Sequence, residues 1–228
     1  NAAALSEIAS LEAEKAAALS EVASLLAEMQ AEIDSLQALA SELNNTIREL
    51  DGISTLDLIV ERGYMICGVK ESQYGMGYLD SDTGVRSGLD ISYCRAIAAA
   101  IGLDPDTDIE YVPASGSNRF DMLASGTIDV LIRTTTWTTS RDADLNADFA
   151  AMNFYDGQGI MVRGDAYPAA TADYSALGLD GANICVGIGT TTEGNMEDWF
   201  SSRDISFTSV PVSDAAEATA KFIDGSCD

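Results

Sequence analysis

Asp129-Val-Leu-Ile-Arg-Thr-Thr-Thr-Trp-Thr-Thr-Ser-Arg141 decides the reading of this chain. It begins as an apolar strand, Val130 to Ile132, and continues into five threonines and a serine before ending on an arginine. A strand that stops in a crowd of hydroxyls is the mark of a site. Hydroxyls and free backbone N–H groups beyond a strand can hold an anion, and Arg141 adds a planar, two-pronged donor suited to a carboxylate. The plain alternative for Arg141 is a surface residue beside Asp142 or Asp144. Arg133 is a weaker candidate, because it could equally be a structural pair partner.

Upstream, the chain alternates strands and helices. Thr55 to Gly63 reads as a short capped helix closed by its glycine, and Tyr64 to Val69 as a buried strand. Lys70 to Gly88 reads as a polar, Gly-rich loop. Leu89 to Ile101 is helical, with Ile91, Cys94, Ile97, Ala98 and Ile101 on one face. Ile109 to Val112 is a strand, Ser117 to Ser125 a helix closed by Gly126, and Ile128 to Ile132 the next strand. This order predicts a parallel, doubly wound α/β sheet. Sites in such sheets lie outside the carboxyl ends of the strands, which is where the loops at 70–78 and 134–141 fall.

Downstream, Phe154 to Val162 reads as an extended segment leaving this first lobe. A connector with Tyr167, Pro168 and Tyr174 follows. Ala182 to Ile188 is a second buried strand, followed by Gly189-Thr190-Thr191-Thr192-Glu193, a helix to about Phe200, a strand over 206–210 and a helix over 214–223. A glycine and hydroxyls between strand and helix offer free helix N-terminal N–H groups to an anion. The turn lacks the Gly-Lys-Ser/Thr of a nucleotide loop. Its plain alternative is that Thr191 or Thr192 merely caps the helix.

Residues 1–51 are of another kind. Leu19, Val22, Leu26, Met29, Ile33, Leu36, Ala40, Leu43, Ile47 and Leu50 alternate spacings of three and four, a heptad with a and d filled. Leu5 and Ile8 begin the stripe, and Glu12 and Lys15 weaken it. Glycine and proline are absent before Gly52, so one helix roughly 70 Å long is expected. Leu11, Leu25 and Leu39 at g, with Ala9, Ala16 and Ala23 at e, widen the apolar face and favour a trimer over a dimer. The alternative is a single amphipathic helix lying on another protein.

The organisation expected is therefore a coiled-coil stalk over 1–51, a first lobe over 52–160 and an incomplete second lobe over 161–228. The chain of 228 residues is 46% apolar, enough for a core. It carries 37 acidic against 12 basic residues, net −25, which excludes nucleic acid as a natural partner and argues against anionic lipid. There is no histidine, so the usual triads and many metal sites lose a member. No apolar run approaches the ~18 residues of a membrane span. The first residue, Asn1, is read as the start of a processed or trimmed product.

The four cysteines fall two to a lobe, and the split predicts Cys67–Cys94 and Cys185–Cys227 bridges in an oxidising compartment. The alternative is four buried thiols. Trp137 and Trp199 are expected in the core or in lobe packing.

Gly126-x-Ile-Asp-Val, then Thr135-Thr-Trp-Thr-x-x-Arg141 and Asp148-Phe-Ala, resembles the polar amino-acid binding proteins of bacterial ABC importers, in their general L-amino-acid branch. The resemblance runs from about residue 55 to 228 and leaves out the rod. It implies a two-lobed, periplasmic-binding-protein-like fold outside the cytoplasm, with an ABC permease as partner and neither cofactor nor catalysis. By this resemblance Arg141 binds the ligand's carboxylate, opposite the Thr190–Thr192 turn. Thr134 and Thr136 hold carboxylate and ammonium, and Thr138 helps. Glu71, Gln73 and Tyr74 lie in a loop that covers the ligand, although Glu71-Ser-Gln-Tyr-Gly-Met-Gly-Tyr78 departs from the family's Pro-Gly-Phe pattern there. The resemblance also implies an aspartate for the ammonium beyond Asp228, so residues 1–228 alone are expected to bind poorly. Other readings are a sensory or structural protein displaying this fold on its stalk, and a dehydratase-like enzyme of the same fold. The absence of histidine argues against the enzyme.

Overall fold

The computed structural model describes residues 2–145 and 147–228, with side chains of the first helix only at 15–16, 18–40, 42–43 and 46–47. Two compact units are present, residues 1–52 and 53–228.

The first unit is helix α1, Ala2–Asp51. From Leu19 to Ile47 its described a/d side chains other than Ala40 are 43–60% exposed, and Leu25 and Leu39 are exposed beside them. The expectations for Leu5, Ile8, Ala9, Leu11, Glu12 and Leu50 lie outside the described side chains. Among the described residues no helix is long and apolar enough to cross a membrane.

The second unit opens on α2, Thr55–Arg62, between a Ser54–Asp57 capping box and a left-handed Gly63. Strand β1, Met65–Val69, is the centre of the first lobe. The loop that follows it differs from expectation. Three short strands, β2 (Ser72–Gln73), β3 (Gly77–Leu79) and β4 (Arg86–Ser87), make an antiparallel sheet. Asp80 Oδ1 accepts from the backbone N–H groups of Asp82 and Thr83 and so turns the chain between β3 and β4. Strands this short carry no period-two pattern, so composition alone read them as a loop.

Helix α3 (Leu89–Ala100), β5 (Ile109–Pro113), α4 (Arg119–Ala124) and β6 (Val130–Leu131) complete the lobe. The sheet is parallel in the order β5-β1-β6. Asp129 anchors β6 beside β1 by accepting from Ile66 N (2.6 Å) and pairing with Arg62. Met65, Val69, Ile91, Ala98 and Ile132 form the core, and a Cys67–Cys94 disulfide ties β1 to α3 inside it. Helix α5, Thr139–Asp144, follows the threonine run.

Phe154–Val162 forms no strand. The expected connector contains α6, Pro168–Asp173, with its proline in the first turn, where a missing N–H costs nothing. Strand β7 (Ala182–Gly187), α7 (Thr191–Ser201), β8 (Phe207–Val212) and α8 (Ala215–Asp224) make the second lobe, with β7 and β8 parallel. Leu179, Val186, Met196 and Phe200 fill its core, and Cys185–Cys227 closes it. The fold is two-lobed α/β.

Candidate functional site

The site lies where the carboxyl ends of β6 and β7 face each other. On the first lobe, Thr138 is extended, and its hydroxyl accepts from Arg141 N (3.2 Å) as the cap of α5. That cap fixes Arg141 in the first turn. Its guanidinium donates back to Thr136 O (2.8 Å) and across to Gly189 O (3.4 Å).

On the second lobe, β7 ends at Gly187, and Gly189 turns with φ +68°. The cap of α7 is Thr190, one residue before the pair that the sequence favoured. Its hydroxyl accepts from Glu193 N (3.3 Å) and donates to Gly187 O (2.7 Å). Glu193 in turn accepts from Gly189 N (3.1 Å), one residue before the cap. Thr191 is thereby left to face the other lobe, and its hydroxyl meets that of Thr136 at 3.0 Å. The lobes come close here because both backbones are bare. A Cβ on Gly116 would stand 2.4 Å from Ile188 O, and one on Gly189 would stand 3.2 Å from Gly116 O.

Two cavities open beside this contact. One, of about 440 Å³, is lined by Asp90, Arg133, Thr134, Thr136, Thr191 and Thr192, with Trp137 and Phe149 among its other walls. The other, of about 530 Å³, has Lys70, Glu71, Arg133, Thr190, Thr192 and Asp214 on its walls. Either could hold a small polar molecule. Arg141 lines neither and sits at the lobe contact instead. Glu71 pairs with Arg86. Tyr74 stands apart from both cavities, 78% exposed, its ring stacked on Tyr78 at 4.0 Å. Gln73 Oε1 accepts from Lys70 Nζ (2.9 Å) and Thr134 Oγ1 (3.3 Å).

Trp199 packs against the second core, whereas Trp137, expected in the core or in lobe packing, is 47% exposed and stacks on Phe149 in the cleft. The apolar residues that would bury it are on the cleft wall rather than under the sheet.

Two residues escaped the sequence reading. Asp90 is 2% exposed, and its Oδ2 has no partner. Burial pushes its carboxyl up to about 6, against the pull of Arg133 and Lys70. The signal was an aspartate on the same helix face as Cys94 and Ala98. Arg119 is also 2% exposed, donates to Gly189 O (3.1 Å) and leaves its Nε unpartnered. Burial, with Arg133 and Arg141 nearby, lowers it to about 10, so it stays charged at neutral pH. Its role depends on the opposite lobe, and no local pattern announces that. Burial likewise lowers Arg133, Arg141 and Lys70 from their ordinary values.

Two opposed strand ends, hydroxyls from both lobes and cations at their contact make a cleft whose chemistry suits a small anion-bearing solute. Residues 65–221 match the profile of the bacterial extracellular solute-binding proteins, family 3. The chain belongs to that family. The glutamate/glutamine/aspartate/asparagine-binding protein BztA of Rhodobacter capsulatus is 46% identical over 175 residues, 77% of this chain and 50% of the relative. The general L-amino acid-binding periplasmic protein AapJ of Rhizobium johnstonii is 39% identical over 77% of this chain and 49% of its own length. A periplasmic binding protein of an ABC transporter from Brucella ovis, with glutathione bound, superposes with a TM-score of 0.70 at 43% identity, covering 77% of this chain and 53% of that one. The chain thus spans about half the length of the relatives it matches. An ancestral amino acid-binding protein, a precursor of cyclohexadienyl dehydratase, shares the fold at 24% identity and a TM-score of 0.61. In this family-3 chain the two-lobed architecture rests on its own sheets and on these likenesses together.

Proposed function

We propose that this chain captures an amino acid outside the cytoplasm and delivers it to an ABC permease, without chemistry on the ligand. The observation that carries the reading is the meeting of Arg141 and Thr136 with the turn at Gly189 and Thr191, with Thr134 on the wall of the adjoining cavity. In this reading Arg141 exchanges the Gly189 carbonyl for the ligand's carboxylate. The N–H groups of Thr191 and Thr192 at the start of α7 face it from the other lobe. The ammonium takes Asp90, whose unpartnered oxygen lines the 440 Å³ cavity, with Thr134 and Thr136 beside it. Asp90 is an acceptor within the chain, so binding is expected of residues 1–228 themselves. The resemblance led to the opposite expectation, poor binding by residues 1–228 alone, and the titration below decides between the two. Thr138 and Thr190 act through their caps, holding Arg141 and the turn in position. Glu71 lines the 530 Å³ cavity, where it is paired with Arg86, and Tyr74 stands apart from both cavities.

Both disulfides fit an oxidising compartment. The exposed heptad stripe of α1 supports self-association through a coiled coil, a trimer being favoured by Leu25 and Leu39 at g. That stripe also supports a second reading, in which the binding fold is displayed on its stalk as a sensor. A solute-binding role over 52–160 and 161–228, with 1–51 as stalk, covers both readings.

Isothermal titration with a panel of amino acids tests the proposal. Micromolar or tighter binding of at least one is expected. Heatless titrations across the panel would refute it.

A further inference from the structure

Basic side chains gather at the cleft of a chain whose net charge is −25, beside Asp90, Asp156, Asp214 and Glu71 on the cavity walls. Lys70, Arg119, Arg133 and Arg141, four of the 12 basic residues, lie near enough to act electrostatically on one another. None of them is in an ion pair with a carboxylate among the described residues, where the pairs are Arg62–Asp129, Arg86–Glu71, Arg95–Asp106 and Lys221–Glu217. Arg119 and Arg141 both donate to a single neutral carbonyl, Gly189 O. Arg133 donates to another, Ser115 O (3.2 Å), and its buried Nε has no partner. The carboxylates that act on this group are Asp90 and, toward Lys70, Asp214.

A zwitterion with one carboxylate and one ammonium brings no net charge to such a place. Arg141 would take its carboxylate and Asp90 its ammonium, leaving the Arg133 guanidinium on a neutral carbonyl with its buried Nε unpartnered. Uncompensated buried cations are costly. Among the described residues Arg133 is the cation that lines both cavities, so a ligand in either meets it.

We propose that the ligand carries a second carboxylate, as an acidic amino acid does, and that Arg133 reads it. The inference rests on the amino-acid reading above and adds the class of side chain. A bidentate guanidinium–carboxylate pair distinguishes an acid from its amide, because the amide presents an N–H₂ where the fork needs an acceptor. Lys70 adds field without fork geometry. A basic side chain would meet repulsion from all four cations.

The test is titration of residues 1–228 with glutamate, glutamine and lysine at the same pH and low salt. Glutamate is expected to bind at least about tenfold more tightly than glutamine, and lysine not at all. Equal affinity for glutamate and glutamine would overturn the inference and leave the amino-acid reading standing. If none of a full amino-acid panel binds, that reading falls and this one with it. Arg133→Gln is expected to bring the glutamate-to-glutamine ratio toward one while leaving glutamine affinity within a few-fold. A folded Arg133→Gln protein that keeps the ratio would remove Arg133 from the role. If the variant does not fold, the ratio in the unaltered protein decides.

Discussion

Asp90→Asn should make this protein more stable at neutral pH. Asp90 is 2% exposed, and burial outweighs the attraction of Arg133 and Lys70, lifting its carboxyl from 3.8 to about 6. Because the folded-state value is the higher one, the native chain holds a proton that the unfolded chain has released between about pH 4 and pH 6. Stability attributable to this group therefore falls as pH rises through that window and stays low above it. A carboxyl moved from 3.8 to about 6 represents about 3 kcal/mol at neutral pH. Asparagine keeps the shape and removes the charge, so the variant should gain up to about 3 kcal/mol at pH 7.5, or roughly 6–12 °C in melting temperature for a chain of this size. The gap should close near pH 4. Urea unfolding of parent and variant, followed by Trp137 and Trp199 fluorescence at pH 4, 5.5 and 7.5, gives the difference directly and cancels the titration of the other carboxylates. Identical stability at pH 7.5, or a gap that widens toward pH 4, would refute the argument. The same change should weaken amino-acid binding, since the ammonium loses its anionic acceptor. A buried charge that destabilises the fold and serves the ligand is a known exchange of stability for function.

The Cys67–Cys94 bridge closes 27 residues of chain and lies in the first core. Replacing both cysteines with alanine should cost about 3–4 kcal/mol in denaturant unfolding, and a loss below about 1 kcal/mol would contradict a structural role. Peptide mapping without reduction should recover Cys67 with Cys94 and Cys185 with Cys227, and four alkylatable thiols would refute both bridges. Leu26→Asp with Ile33→Asp should dissociate the assembly in sedimentation equilibrium while leaving the unfolding of residues 53–228 unchanged. A monomeric parent at micromolar concentration would remove the coiled coil, and a dimer would remove only the trimer.

Much of the architecture was legible because continuous apolar runs mark parallel strands buried on both faces. Met65–Val69 and Ala182–Gly187 show this, and helix stops at Gly63 and Gly126 gave the order. The small sheet of β2, β3 and β4 was not legible, since its strands of two or three residues are held by turns such as the one around Asp80 rather than by pattern. At the site, the sequence singled out the two segments that the structure brings together but not the division of labour within them. Which threonine caps α7 depends on Gly189 adopting φ +68°, and this shifts the cap to Thr190 and frees Thr191 for the cleft. Tyr74 reads as a cover for the ligand, and in the structure it stacks on Tyr78 across the turn that joins β2 and β3. Arg119 gains its meaning only when the second lobe is in place, which local sequence does not carry, whereas Asp90 shares a helix face with the buried Cys94 and Ala98.

The claim on which the rest depends is that Arg141 and the Thr190–Thr192 turn grip one carboxylate from opposite lobes. Isothermal titration of the best-bound amino acid into Arg141→Ala and the parent tests it most directly. Loss of a charge-assisted hydrogen bond predicts weakening by at least about 2–3 kcal/mol, with folding checked by the same unfolding curve as the parent. A folded Arg141→Ala protein that binds as tightly as the parent would show that the carboxylate is held elsewhere.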